Sequence, residues 1–229
     1  MLFPNLSINN FFEDPDNILD LANTVDYFPS HTGSYPGVRS RPLHLIDPEL
    51  FHKFTNAIFA NFYNYGTDIK YNALVNFHKI TPFSKNKKDI RNQGWIHYDS
   101  AVLAGLIYLN KQADLDTGTS LYVPKGKLKH DWSKGEDLKV NLYLNGSYNQ
   151  KAYEKEMEST NNKFIRAIEF NNIFNTFICY DGQNYHKINN MNIGTGEDRL
   201  TLVFFIKDVT VDGAPINRVK EAFNEKSHI

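Results

Sequence analysis

The sequence predicts a mainly β fold with flanking helices, of the sandwich or jelly-roll barrel kind. Three observations carry this. From about residue 68 onward, short apolar or alternating runs follow one another, broken by Gly, Asn and Asp clusters. Before that point, two Asp-Pro helix starts each precede an apolar stripe at helical spacing. The chain also carries 17 Phe, 13 Tyr and 2 Trp, side chains that suit pleated, half-buried surfaces.

In chain order, Leu6 to Phe12 reads as a strand. At Asp14-Pro15-Asp16 a helix begins: Asp14 caps free N–H groups, and Pro15 loses nothing at the first helical position. Ile18, Leu21, Ala22, Val25 and Phe28 form its apolar face. Pro29 to Pro42 is a loop with three Pro and two Gly. It reads first as an ordered connector with solvated charges; as a pocket-lining loop it would bring Arg39 or Arg41 to a substrate. Asp47-Pro48-Glu49 repeats the start signal, with Leu50, Phe51, Phe54, Ile58 and Phe62 as the stripe. Two helices with one apolar face each need a sheet to cover.

Ala73, Val75 and Phe77 then alternate with polar neighbours, and Ser84 to Asp89 is a polar loop. A strand is expected at Gln93–Ser100. Ala101–Asn110 is a near-continuous apolar run, as in a strand buried on both faces. Thr119–Val123 is a short strand stopped by Pro124. Lys125 to Gln150 is a polar insertion with a short strand expected around Val140–Leu144. Lys151–Asn161 reads as a charged helix, its Lys and Glu forming a solvated face. Strands follow at Phe164–Phe170, Ile173–Tyr180, Tyr185–Ile188 and Arg199–Ile206, and a short helix at Asn217–Lys226. The division is one domain over 1–229: N-terminal strand and helices (1–66), a β core (67–208) and a tail (209–229).

With 25 basic and 26 acidic residues, bulk charge gives no case for nucleic acid or an anionic membrane. The single cysteine, Cys179, sits in an apolar run and reads as a small buried hydrophobe. Two glycosylation sequons, at Asn5 and Asn145, read as chance matches. No basic segment leads into an apolar one at the N-terminus and no run is long enough to span a bilayer, so a cytoplasmic location is expected. Oligomeric state leaves no mark in the sequence.

Chemistry concentrates in Gln93-Gly-Trp-Ile-His-Tyr-Asp-Ser100. On a strand, His97 and Asp99 leave the same face. An imidazole and a carboxylate there make two-thirds of a facial iron site, and His186, on a later strand, is the candidate third ligand. Arg199 opens the last strand and shares a face with Thr201. An inward-pointing Arg there needs an anionic partner, and its fork grips a carboxylate at two points. Edge salt bridging is the competing account. Trp95 shares a face with His97 and reads either as a pocket wall, with Arg39 a further substrate contact, or as core.

His97-Tyr-Asp99, Tyr108-Leu-Asn-Lys111, Gly118-Thr-Ser-Leu-Tyr122, His186 and Arg199-Leu-Thr201 together resemble the iron(II)/2-oxoglutarate-dependent oxygenases, nearest their prolyl-hydroxylase-like branch. The resemblance covers roughly residues 90–207, and a weaker one links the N-terminal motifs to short bacterial and phage members. It implies a double-stranded β-helix (jelly-roll) core supported by N-terminal helices. It also implies Fe(II) on His97, Asp99 and His186, with 2-oxoglutarate on Arg199, Thr201 and Tyr108, and O2 as oxidant; ascorbate is an optional addition. The implied reaction is hydroxylation of a peptidyl proline, another side chain or a small molecule, releasing succinate and CO2. Asp99 stands where halogenating relatives have a small residue. Two departures are Thr117-Gly118 in place of Gly-Gly and a long His186–Arg199 spacing. A non-catalytic cupin-type binding protein and a zinc hydrolase are the competing readings; neither explains Arg199 and Thr201 after His186.

Overall fold

A computed structural model describes residues 3–64, 66–128 and 132–212. Ten strands form two antiparallel sheets. β1 (Leu6–Ile8), β2 (Tyr27–Pro29), β3 (Val38–Ser40), β4 (Lys70–Ile80), β5 (Leu103–Tyr108), β8 (Phe177–Asp181) and β10 (Arg199–Thr210) make the large sheet, in the order β1-β8-β5-β10-β4-β3-β2. β6 (Thr119–Pro124), β7 (Phe164–Phe170) and β9 (Tyr185–Ile188) make the small one, in the order β7-β6-β9. This is the jelly-roll architecture the strand pattern predicts.

Both predicted N-terminal helices form: α1 (Pro15–Thr24), and α3 (Pro48–Ala60) after the single turn α2 (Leu43–Ile46). Asp14 accepts from the Asn17 N–H and Asp47 from the Leu50 N–H, caps that each contribute about 1 kcal/mol. Phe51, Phe54, Ile58 and Phe59 lie buried against the outer face of the large sheet.

The two faces of that sheet can be read from strand alternation. On β10, Leu200, Leu202, Phe204 and Ile206 join the helix-covered core, where Phe177 stacks on Phe204 with ring centroids 5.5 Å apart. Val203 and Phe205 face the small sheet with Ala104, Leu106, Tyr108, Ile178, Tyr180 and Leu121. Arg199 and Thr201 belong to this inner series. A row of paired residues, Arg39 with His78, His78 with Thr201 and Thr201 with Tyr108, crosses four strands on that face.

Several expectations need correction. Val140–Leu144 belongs to a helix, α4 (Ser133–Tyr143), not a strand. Leu138 and Leu142 are four apart, and helical geometry puts both in a cluster with Trp95, Tyr153 and Met157. The charged segment is α5 (Gln150–Asn161), but its face is not wholly solvated, because Tyr153 and Met157 are buried. The Pro29–Pro42 segment is not all loop, since β3 lies inside it and pairs with β4. The first strand stops at Ile8, and β8 starts at Phe177 rather than Ile173 because Ile173 and Thr176 close a turn. β10 runs on past Ile206 through a bulge to Thr210. The predicted helix at Asn217–Lys226 lies outside the described residues. Among those described, no helix is long and apolar enough to cross a membrane.

Candidate metal centre

The stretch Gln93–Ser100 is not a continuous strand. It meets β9 at an isolated bridge, in which His97 and His186 exchange both backbone hydrogen bonds at 3.0 and 2.8 Å, and by the Gly94 N–H on the Ile188 carbonyl at 3.0 Å. Two residues paired in this way send their side chains to the same face. The imidazole centroids are 4.4 Å apart. Asp99 is held by its own N–H on the Gly182 carbonyl at 2.8 Å. Its carboxylate lies 3.3 Å from His186 Nε2 and 3.9 Å from His97 Nε2. One donor atom from each of His97, Asp99 and His186 lies within 4.8 Å of the others.

Both tautomers follow from the backbone. His97 Nδ1 is 2.8 Å from the Trp95 carbonyl and His186 Nδ1 is 2.8 Å from the Asn184 carbonyl. A carbonyl only accepts, so each Nδ1 carries a proton, and each Nε2, the atom turned toward Asp99, is the ring nitrogen available as a ligand. Burial in the cavity, then the neighbouring His186, pull His97 down to about 4, so it stands neutral as a ligand must. Burial pushes Asp99 up, but the neighbouring His186, then His97 and Arg39, outweigh it and leave the carboxyl lowered. Two imidazole nitrogens and one carboxylate oxygen on one side of a gap suit a divalent first-row metal with open positions.

The site opens into a cavity of about 490 Å³ between the sheets, which Arg199 also lines. Arg199 is 1% exposed, and its Nε and Nη2 have no hydrogen-bond partner among the described residues. No described carboxylate pairs with it. Burial lowers its pKa, against support from Tyr108 and Tyr180. Thr201 Oγ1 and Ser120 Oγ are buried and unpartnered as well. Unpaired buried donors of this kind are costly, and an anion bound there would satisfy them. The competing account, an edge salt bridge at Arg199, is not what the structure has.

The remaining predicted residues divide. Tyr108 and Thr201 are fully buried beside Arg199 without lining the cavity; the Tyr108 hydroxyl donates to Thr119 Oγ1 at 3.1 Å, and burial pushes it up to about 12. Trp95 lines the cavity and is also core, donating from Nε1 to the Tyr153 hydroxyl at 2.7 Å. Arg39 lines the cavity, whereas Arg41 is exposed elsewhere, so the reading of both as solvated charges fails for Arg39. Sequence reasoning missed Tyr180, whose ring lies 4.7 Å from that of His186, and the cavity-lining Lys139 of α4. Neither carries a local signal.

The sequence profile of a family of unknown function, DUF6445, matches residues 3–206. The chain belongs to that family. No curated protein matches this DUF6445 chain by sequence. Solved structures do match it in shape. HygX from Streptomyces hygroscopicus, with nickel and 2-oxoglutarate bound, is 10% identical, covers 87% of this chain and 81% of its own, and gives a TM-score of 0.53. HygX with hygromycin B also bound gives the same TM-score at 11% identity, over 87% of this chain and 81% of its own. The epimerase SnoN, in complex with Fe3+, alpha ketoglutarate and nogalamycin RO, is 11% identical over 91% of this chain and 81% of its own, with a TM-score of 0.50. At such identities the likeness is one of fold.

Proposed function

We propose that this DUF6445 protein is an Fe(II)- and 2-oxoglutarate-dependent oxygenase that hydroxylates or otherwise oxidises a C–H bond of its substrate. The observation that carries the reading is Arg199. It is a buried guanidinium whose Nε and Nη2 have no acceptor among the described residues, in the same cavity as the His97–Asp99–His186 cluster. Neither a cupin-type binder nor a zinc hydrolase needs that pairing. Proteins of the same fold whose structures hold 2-oxoglutarate with nickel or iron add support.

In this reading His97, Asp99 and His186 hold the iron. Arg199 grips the far carboxylate of 2-oxoglutarate, with Thr201 adding a hydroxyl. Together with dioxygen, the iron and 2-oxoglutarate supply the oxidising power, 2-oxoglutarate leaving as succinate and CO2. The protein's own work is positional. The carbonyls of Trp95 and Asn184 fix the two imidazoles by their Nδ1 protons, as second-shell partners of metal ligands do. Trp95, backed by α4 and α5, walls the cavity and limits water. The shape neighbours act on or bind small molecules by name, which favours a small molecule over a peptidyl proline.

The test is oxygen-dependent conversion of 2-oxoglutarate to succinate by the Fe(II)-loaded protein. Conversion that requires both iron and the intact His186 supports the reading. Conversion unaffected by His186→Ala, or none in the wild type across a substrate panel, contradicts it.

A further inference from the structure

We propose that Arg39 is a specificity residue that recognises a carboxylate on the substrate, making the substrate class small apolar or aromatic carboxylic acids. The proposal rests on the oxygenase reading of the same cavity and asks what the second molecule in it is.

The charges in the cavity wall point to this. Arg199 is taken by the co-substrate in that reading. Glu136 and Lys139 neutralise each other at 2.5 Å. Asp99 belongs to the metal cluster, and its ion-pair contacts are with His97 and His186 only. Lys207 stands at the exposed end of the lining. That leaves Arg39 as the inner cation with no carboxylate at ion-pair distance among the described residues; it feels the charge of Asp99 only from farther off. Its Cζ lies over the Tyr35 ring at 3.8 Å and 5.2 Å from the Phe205 centroid. Two aromatic rings therefore pack against the guanidinium, while its buried Nε has no partner among the described residues. A planar fork fixed in this way, with its Nε unspent, matches a carboxylate.

Placement agrees with charge. Arg39 pairs with His78, and His78 with Thr201, across β3, β4 and β10. Two strand spacings put Arg39 about 10 Å from Thr201 along the row, and Arg199 stands two residues further along β10, so the two arginines start from separate positions in the cavity wall. His78 between them donates from Nε2 to the Pro36 carbonyl at 2.7 Å, and burial, then the charge of Arg39, keeps its ring neutral. One guanidinium balances one negative charge, which favours a monocarboxylate over a phosphate dianion. Leu74, Phe205 and Trp95 offer an apolar body its surface.

The experiment uses the wild-type protein loaded anaerobically with Fe(II) and saturating 2-oxoglutarate. Calorimetry compares 3-phenylpropionate, hexanoate and N-acetylproline, each beside its neutral amide. At least one acid is expected to bind about tenfold or more tighter than its amide, the scale of one charge-assisted contact. The preference should vanish in Arg39→Met, which keeps the aliphatic packing, and survive in part in Arg39→Lys. Equal binding of every acid and amide, binding of none, or a preference that persists in Arg39→Met overturns the proposal. The visible band of the iron and 2-oxoglutarate complex is recorded in the same samples. Its absence from the wild type would sink the oxygenase reading, while the acid preference is still read by tryptophan fluorescence in metal-free protein.

Discussion

His97 and His186 hold each other through their backbones, each N–H on the other's carbonyl at 3.0 and 2.8 Å. Eighty-nine residues apart in the chain, they form a one-residue bridge that sets two imidazoles side by side. Because the bridge is made by main chain, either side chain can be removed without breaking it.

His186→Ala should therefore leave the fold intact while metal affinity drops about 100-fold or more, beyond the loss that follows removal of a mere outer partner. Metal titration with circular dichroism on the same sample checks both halves. Unchanged affinity would remove His186 from the centre.

Arg199→Met is expected to act in two directions. Losing charge-assisted bonds worth roughly 1.5–3 kcal/mol weakens 2-oxoglutarate about 10- to 150-fold, with Fe(II) binding little changed. In the absence of 2-oxoglutarate the same variant should melt higher than wild type, by about 1 kcal/mol or more of stability, because an unpaired buried cation gives way to an apolar chain. A lower melting point would mean that Arg199 is satisfied within the protein.

The parts of this account that were legible in sequence are those carried by neighbouring residues. The Asp14-Pro15 and Asp47-Pro48 caps are local, and so is the two-residue step from His97 to Asp99. Arg199 and Thr201 were legible for the same reason. What was not legible depends on register between distant strands. Tyr180 meets His186 only because β8 and β9 reach the site from different sheets. Arg39 reads as a solvated loop charge until β3 pairs with β4 and sets it opposite His78. Val140–Leu144 is too short an apolar run to tell a strand from a helix, and contact with Trp95 and Tyr153 decides for the helix.

Gly105→Ala should destabilise by about 2–3 kcal/mol, as overpacking of a core does. A Cβ there would stand 2.1 Å from the Ile178 carbonyl oxygen and 2.7 Å from the Phe204 ring, in the middle of the large sheet. Urea unfolding measures it; a change within about 0.5 kcal/mol, the range of a neutral surface substitution, would show that β5 and β8 separate readily.

Stability should fall as the solution is acidified below about pH 6.5, the unfolded value for histidine. Burial, then the positive charge of Arg39, holds His78 well below that value in the folded protein, despite its bond to Pro36. Below about pH 6.5 the unfolded chain takes up a proton that folded His78 refuses, so this residue's contribution is present at neutral pH and lost by about 1.4 kcal/mol per pH unit. Unfolding curves between pH 7 and 5 should show this loss in wild type and a smaller one in His78→Gln, where His97, held down to about 4, still contributes its own share.

The most direct measurement is an anaerobic titration of metal-free protein with Fe(II) and then 2-oxoglutarate, followed in the visible. A weak charge-transfer band that needs both components, survives Arg39→Met and is lost in His186→Ala is the predicted result. Tight binding of zinc with no such band, or no metal binding at all, would contradict the assignment of His97, Asp99, His186 and Arg199 to one ferrous, 2-oxoglutarate-binding centre.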